Sequence, residues 1–149
     1  MRIEQIKLNS YIRPEVKEIT SKEWVLNGIN NSFFQYIIDR YNGSPTNRAI
    51  IDSYSQFIYG KGLTSLEKNI KPLQFSMVQN ILPKKQLRPI VQDYSLYSES
   101  ALELVYKQGE LKSIYHVPTN QIAPNKMNED GEIDIYWYSQ NFAKTMNNK

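Results

Sequence analysis

The spacing of apolar residues changes once along the chain. Between residues 32 and 98, apolar positions recur at intervals of three and four, which places them on one face of an α-helix. From Ala101 onward the period falls to two, which is typical of strands that bury one face. The pattern predicts an α+β fold, with N-terminal amphipathic helices over about 32–98 followed by antiparallel β-hairpins over about 101–140.

The most clearly bounded helix lies in "NGSPTNRAIIDSYSQFIYGKGL". Ser44 is a suitable N-cap because its hydroxyl can accept a hydrogen bond from an orphan amide, and Pro45 suits the first helical position because it lacks an N–H. Gly60 and Gly62 supply the stop. The apolar positions between these ends form a broad packing face, and they are Ile50, Ile51, Tyr54, Phe57 and Ile58.

Three further helices are predicted around it. The first, in "SFFQYIIDRYNG", is capped by Asn31 or Ser32 and ends at Gly43. The next lies in "KPLQFSMVQNILP". The last lies in "QLRPIVQDYSLYSES", where Pro89 either begins or bends the helix, and we favour a start near Arg88.

Two hairpins follow the helices. The segments "ALELVYK" and "LKSIYHV" flank a glycine turn at Gln108-Gly109-Glu110, and "NQIAPNK" and "EIDIYWYS" flank "NEDG". In the last strand, Tyr136 and Tyr138 share a face with Asp134, opposite Ile133, Ile135 and Trp137. We expect this second, aromatic face to pack on another element or on another chain.

The composition is that of an ordinary globular chain of 149 residues, with 40% hydrophobic and 22% charged residues. We expect an N-terminal arm over 1–30, one α+β domain over 31–142 and a frayed tail over 143–149. No apolar run is long enough to span a bilayer, and "MRIEQIKLNSYIRPEV" lacks the apolar region of a secretory signal. No membrane association is expected.

Candidate catalytic chemistry is sparse. The chain has no cysteine and a single histidine, His116, which excludes disulfides, cysteine-ligated zinc and a thiol nucleophile. We interpret His116 as a hydrogen-bonded strand residue; an enzyme would have to use it with Glu103 or Asp130. "NEDGEID" lacks the spacing of a calcium loop, and "YGKGLTS" follows a helix, whereas a phosphate loop opens one. We therefore predict no enzyme activity and no catalytic, cofactor-binding or metal-binding residue.

The charge distribution bears on nucleic-acid binding. The net charge is +3 and the isoelectric point is about 9.0, but the lysines and arginines are scattered. Their nearest approach to a cluster is "KKQLR", which we interpret as a solvated surface. Among 11 tyrosines, Tyr136 and Tyr138 are the best candidates for stacking on bases, although a core or a subunit interface also favours tyrosine and is the interpretation we prefer. A stand-alone nucleic-acid-binding module that uses lysines and tyrosines is therefore the alternative function.

The order of these features resembles the N-terminal part of tailed-bacteriophage portal proteins. "SPTNRAIIDSYSQFIYGKGL" is similar to a helix of that family with a Ser-Pro-like start and a G-x-G-L end. "ALELVYKQGELKSIYHVPTNQIAPNK" is similar to its later hairpin, with the "hxP" motif at His116-Val117-Pro118, and "DGEIDIYWYSQNF" to a further hairpin that ends in an aromatic segment. The resemblance covers about residues 30–142. Family members often carry a glycine before the "ALELVY" strand, where this chain has Ser98 and Ser100.

The resemblance implies a structural role in the virion, where the protein resides after assembly in the bacterial host cytoplasm. Portal proteins form a ring, commonly of twelve subunits, at one vertex of the capsid, and double-stranded DNA passes through it. The ring contacts capsid protein, docks the terminase motor, which hydrolyses the ATP, and later carries the tail. Portal proteins are several times longer than this chain, so the resemblance implies a fragment of the outer wing region, without the clip that docks the terminase. We expect the chain alone to be monomeric or only weakly associated.

Overall fold

The computed structural model describes residues 23–28, 31–142 and 144. Most of the predicted arm and tail lies outside the described residues. The α+β fold and the order of its elements, helices before hairpins, are confirmed. The elements are the helices α1 (Ser32–Gly43), α2 (Pro45–Tyr59), α3 (Pro72–Ile81) and α4 (Lys84–Tyr97), the strands β1 (Ala101–Lys107) and β2 (Glu110–Val117), a 3-10 turn (Thr119–Gln121), and the strands β3 (Ile122–Pro124) and β4 (Tyr136–Tyr138).

Both predicted ends of α2 are confirmed. The Ser44 hydroxyl accepts a hydrogen bond from the Asn47 N–H at 3.3 Å, and Pro45 is the first helical residue. At the other end, Gly60 has φ of +51° and its N–H donates to the Gln56 carbonyl at 2.8 Å. Because glycine adopts positive φ without a Cβ clash, the helix stops there.

The start of α1 differs from the prediction. Asn31 is the N-cap residue, but its φ is +62° and its side chain makes no capping bond to the helix. The side-chain oxygen accepts from the Asn27 N–H at 2.9 Å, and the amide nitrogen donates to the Asn120 carbonyl at 3.4 Å. Residues that cap a helix with their side chain normally have an extended backbone, whereas Asn31 is left-handed and its side chain bonds to other segments. Asn31 therefore links residues 23–28 to the 3-10 turn.

The predicted start of α4 near Arg88 is wrong. The helix begins at Lys84, where the Pro83 carbonyl accepts the first hydrogen bonds, from the N–H groups of Gln86 and Leu87 at 2.8 and 3.1 Å. Pro89 lies inside the helix. Its missing N–H removes only one helical bond, to the carbonyl of the exposed Lys85, where water can take its place.

Helices α1, α2 and α4 contact one another. The Tyr41 hydroxyl of α1 donates to Asp52 of α2 at 2.5 Å, and the Gln92 amide of α4 donates to the Tyr41 oxygen at 3.3 Å. The hydrogen bond to Asp52, followed by burial, raises the pKa of Tyr41. Beside this network, the rings of Phe34 and Tyr97 meet edge to face, with centroids 5.2 Å apart.

The first hairpin packs on two of the helices through β2, which contacts α3 and α4. Its two-residue turn has positive φ at both Gln108 and Gly109, +55° and +79°. Such a turn matches the twist of the paired strands. The β1–β2 register shifts between Val105 and Tyr106, which indicates a bulge.

The main buried cluster joins the second hairpin to the segments before α1 and after β4. Leu26, Ala123 and Phe142 are almost completely buried together, and Trp24 packs against them. Residues 23–28, which the sequence assigned to the arm, lie along β3, and the Val25 N–H donates to the Pro124 carbonyl at 2.8 Å. A third segment of the chain therefore forms backbone hydrogen bonds with this hairpin, which the hydrophobic pattern did not predict.

Ser98 should limit stability, because it holds the left-handed C-cap of α4 with φ of +63° and its N–H donates to the Tyr94 carbonyl. We expect Ser98→Gly to raise the free energy of unfolding by about 0.5–1 kcal/mol, since relief of the Cβ clash outweighs the extra freedom of the unfolded chain. The matched control Ser53→Gly, inside α2, should lower it by about 0.5 kcal/mol. Urea unfolding of both variants checks the pair; a decrease for Ser98→Gly would contradict the strain argument.

Candidate functional site

The apolar face predicted on α2 is exposed to solvent in this chain. We call Ile50, Tyr54, Phe57 and Ile58 the α2 face; all four are exposed, and the Phe57 side chain reaches 84%. Of the five predicted positions only Ile51 is half-buried, so the expectation that the whole face packs is not met within the described part of the chain. The opposite side of the helix faces inward instead, and its buried residue is Ser55.

The physical reason lies in a second, polar stripe on the same helix. Arg48, Asp52, Ser55, Gln56 and Tyr59 also recur at helical spacing, and all five line the junction with α4. The hydrogen bond from Tyr41 to Asp52 attaches this stripe to α1, and Ser55 is buried, while Arg48, Asp52 and Gln56 remain exposed. The polar stripe therefore lines the junction with α4, and the apolar stripe lies on the outer side of the helix.

Exposed apolar side chains extend beyond α2. Helix α3 has no buried residue, and Leu73 and Met77 are exposed. Tyr136 and Tyr138 of β4 are also exposed, although the Tyr138 hydroxyl donates to Gln121 at 2.9 Å. The predicted packing of the β4 aromatic face on another element is therefore absent from the described chain, and packing on another chain stays a prediction. An exposed apolar stripe such as the α2 face often marks an interaction site.

A hydrogen-bonded cluster surrounds the only histidine. One carboxylate oxygen of Asp93, on α4, lies 2.8 Å from His116 Nε2 and accepts from the Thr119 N–H and hydroxyl at 3.1 and 3.0 Å. The backbone N–H of His116 donates to the side-chain oxygen of Gln86 at 3.0 Å. These hydrogen bonds connect α4 to β2 and to the 3-10 turn. His116 therefore helps to position these elements.

The histidine partner differs from the set considered for an enzyme. Neither Glu103 nor Asp130 bonds to His116 among the described residues, although Glu103 and His116 both line a cavity of about 620 Å³. Asp130 lies in the second-hairpin turn, where Gly131 has φ of +81°. Sequence reasoning missed Asp93; its one available signal was that it is the only carboxylate in α4.

A more apolar cavity of about 490 Å³ lies between the two hairpins. Among its lining residues, burial raises the pKa of the Glu99 carboxyl. The Ser100 hydroxyl oxygen is buried and has no hydrogen-bond partner in the described chain. Just before it, burial and, to a lesser degree, the charge of Asp93 raise the pKa of Tyr97 to about 12.

The remaining sequence candidates occupy turns. Tyr59-Gly60-Lys61-Gly62 forms the C-terminal exit of α2, with the Gly62 N–H donating to the Tyr59 carbonyl at 2.8 Å. Asn128 organises "NEDG" by accepting hydrogen bonds from the N–H groups of Asp130 and Glu132. In the described ranges, no cluster of three or more potential metal ligands was found. Among the helices described there, none has the length and apolar character needed to cross a bilayer.

Comparisons with known proteins do not assign a family. A scan against protein-family models and searches of curated proteins and of solved structures found no match.

The Asp93 cluster should matter for stability. We expect Asp93→Ala to lower the free energy of unfolding by about 2–3 kcal/mol, because it leaves donors of the buried Thr119 without an acceptor. Asp130→Ala removes an exposed carboxylate and should change stability by no more than about 0.5 kcal/mol. Equal effects of the two substitutions in chemical unfolding would show that the cluster does not hold α4 to β2.

Proposed function

We propose that this chain is the wing-region part of a tailed-bacteriophage portal protein, a structural component of the ring at one capsid vertex. The observation that carries the proposal is the α2 face, an apolar stripe that the described chain leaves uncovered. It belongs to the same segment, "SPTNRAIIDSYSQFIYGKGL", that resembles the portal family.

Physical chemistry supports a structural role for this face. Phe57 and Ile50 are among the more exposed apolar side chains of the described chain, and they lie two turns apart on one helix. Leaving such a stripe in water is unfavourable, and subunits that form permanent assemblies bury stripes of this kind in large apolar interfaces. A ring subunit or a neighbouring domain of a longer protein would cover it.

The architecture also supports the proposal. The three resembling segments correspond to α2, to the β1–β2 hairpin with β3, and to β4, and these elements follow one another in the order expected of the family. Ser98 fits the same comparison, because it adopts the left-handed backbone for which glycine is the usual choice. Family members often have a glycine near this position.

In this proposal, the protein acts in the virion after assembly in the bacterial host cytoplasm. The full-length protein self-associates as a ring, commonly a dodecamer, contacts capsid protein and surrounds the double-stranded DNA that is packaged and ejected. Terminase docks on regions outside the resembling segments. The chain would supply shape and contacts, with no enzymatic, cofactor or membrane-bound step of its own.

A stand-alone nucleic-acid-binding module is the second candidate. The exposed rings of Tyr136 and Tyr138 favour it, since rings on one strand face can stack on unpaired bases. A salt titration of binding to single-stranded DNA separates the two functions: a steep loss of affinity with salt that also depends on these tyrosines supports the module.

The α2 face gives the direct test of the portal proposal. In the parent protein we expect Phe57→Asp to prevent assembly of the ring, because a buried unpaired carboxylate would face an apolar partner. The same substitution should change the unfolding free energy of the present chain by no more than about 0.5 kcal/mol, since the Phe57 side chain is exposed. Native mass spectrometry measures the assembly.

The matched control is Ser53→Asp, which adds the same charge at an exposed position of α2 outside the α2 face. It should leave the ring intact. Normal rings from Phe57→Asp, or a reading frame that ends at Lys149, would count against the proposal. So would a stable twelve-membered ring formed by this chain alone, which we expect to be monomeric or weakly associated.

A further inference from the structure

The junction of α2 and α4 contains a polar cavity of about 380 Å³. It lies on the inner side of α2, away from the α2 face. All of its lining residues are polar, and all but one carry a hydrogen-bond donor; they are Tyr41, Arg48, Asp52, Ser55, Gln56, Tyr59, Arg88 and Gln92. Two guanidinium groups thus share the cavity with a single carboxylate.

That carboxylate already has partners. One oxygen of Asp52 accepts the Tyr41 hydrogen bond, and the other lies 3.6 Å from Arg48 Nε, which is longer than a hydrogen bond. The Arg48 guanidinium also lies over the Tyr41 ring, 5.2 Å from its centroid. Asp52 therefore offsets only part of the positive charge that lines the cavity.

Arg88 supplies positive charge that no carboxylate balances. Its guanidinium lies over the Tyr59 ring, 5.5 Å from the centroid, and forms no ion pair within the described ranges of the chain. Stacking holds the group in a defined orientation at the cavity wall. Arg88 is the last residue of "KKQLR", and Lys84, the first, lies near the Tyr59 side of the same junction, where its Cε would be 3.6 Å from a Cβ at Gly62.

Ser55 supplies a further donor to the cavity. The residue is only 9% exposed, and its hydroxyl is not among the buried atoms that lack a partner in the described part of the chain, so the oxygen faces the cavity and its water. Serines inside helices commonly bond to the carbonyl one turn earlier. Ser95 of this chain does so, donating to the Val91 carbonyl at 2.8 Å. Ser55 instead leaves its hydroxyl available to the cavity.

We propose that this cavity binds a phosphate group. Donors reach it from opposite walls, with Arg48 and Ser55 on α2 and Arg88 on α4. A tetrahedral oxyanion directs its oxygens to several walls at once, whereas a planar carboxylate is satisfied by one guanidinium fork. The phosphate belongs to a free phosphate or nucleotide, or to a nucleic-acid backbone. The inference does not depend on the portal assignment.

Calorimetric titration of the whole chain at low salt tests the site. The probes are inorganic phosphate, adenosine monophosphate, a short thymidine oligonucleotide, and acetate as the carboxylate comparison. We expect Arg88→Met to weaken phosphate binding at least about tenfold, as loss of a charge-assisted hydrogen bond predicts. Ser55→Ala should weaken it about threefold. Lys85→Met removes the same charge from an exposed residue of α4 that does not line the cavity, and should weaken binding less than about twofold.

Each outcome of these titrations either supports the phosphate site or overturns it. Binding of phosphate and the nucleotide without the oligonucleotide supports a small-molecule site, and oligonucleotide binding that phosphate competes away supports a backbone site. No phosphate binding by the folded wild-type chain overturns the proposal. It is also overturned if Lys85→Met weakens phosphate binding as much as Arg88→Met does. Acetate binding as tight as phosphate binding would overturn it too, and would indicate a carboxylate-bearing protein partner. Thermal melting checks that each variant is folded. If Arg88→Met is unfolded, the effect of Ser55→Ala on phosphate binding tests the site instead.

Discussion

The hydrogen bond from Tyr41 to Asp52 determines how α2 is oriented, and the arrangement of the helices depends on it. It joins α1 to α2 at 2.5 Å, and Gln92 extends the network to α4. Tyr41 is buried, so a rotation of α2 that moved Asp52 away would leave the Tyr41 hydroxyl without its acceptor. The rotation that satisfies Asp52 exposes Phe57, which lies on the other stripe of the helix.

This constraint separates two surfaces with different chemistry. The inner side of α2 forms a polar cavity with Arg88 of α4, and the outer side presents an apolar stripe. An ordinary monomer would bury the apolar stripe. Its exposure is physically reasonable if the stable unit is larger than this chain, because the outer stripe then becomes an interior in the assembly. A structural role in a ring meets that condition.

Much of the fold follows from local sequence signals. Ser44 caps α2 through its own hydroxyl, and Pro45 and Gly60 act through their own backbone geometry, so the bounds of α2 were predictable. Pro89 was not, because the capacity of a helix to absorb a proline depends on which carbonyl loses its donor and whether water reaches it. The partner of His116 was also hidden, since Asp93 approaches it from another element, 23 residues away in sequence. The direction of the α2 face was decided by the competing polar stripe, which has the same period as the apolar one.

The central claim is that the α2 face is covered by a neighbouring subunit or domain in the assembled particle. Hydroxyl-radical footprinting of Phe57 and Tyr54, compared between the present chain and purified virions, measures it directly. The account predicts that both aromatic side chains react readily in the isolated chain and are strongly protected in the virion, while the exposed Met127 reacts similarly in both. Equal reactivity of Phe57 in the two samples would contradict it.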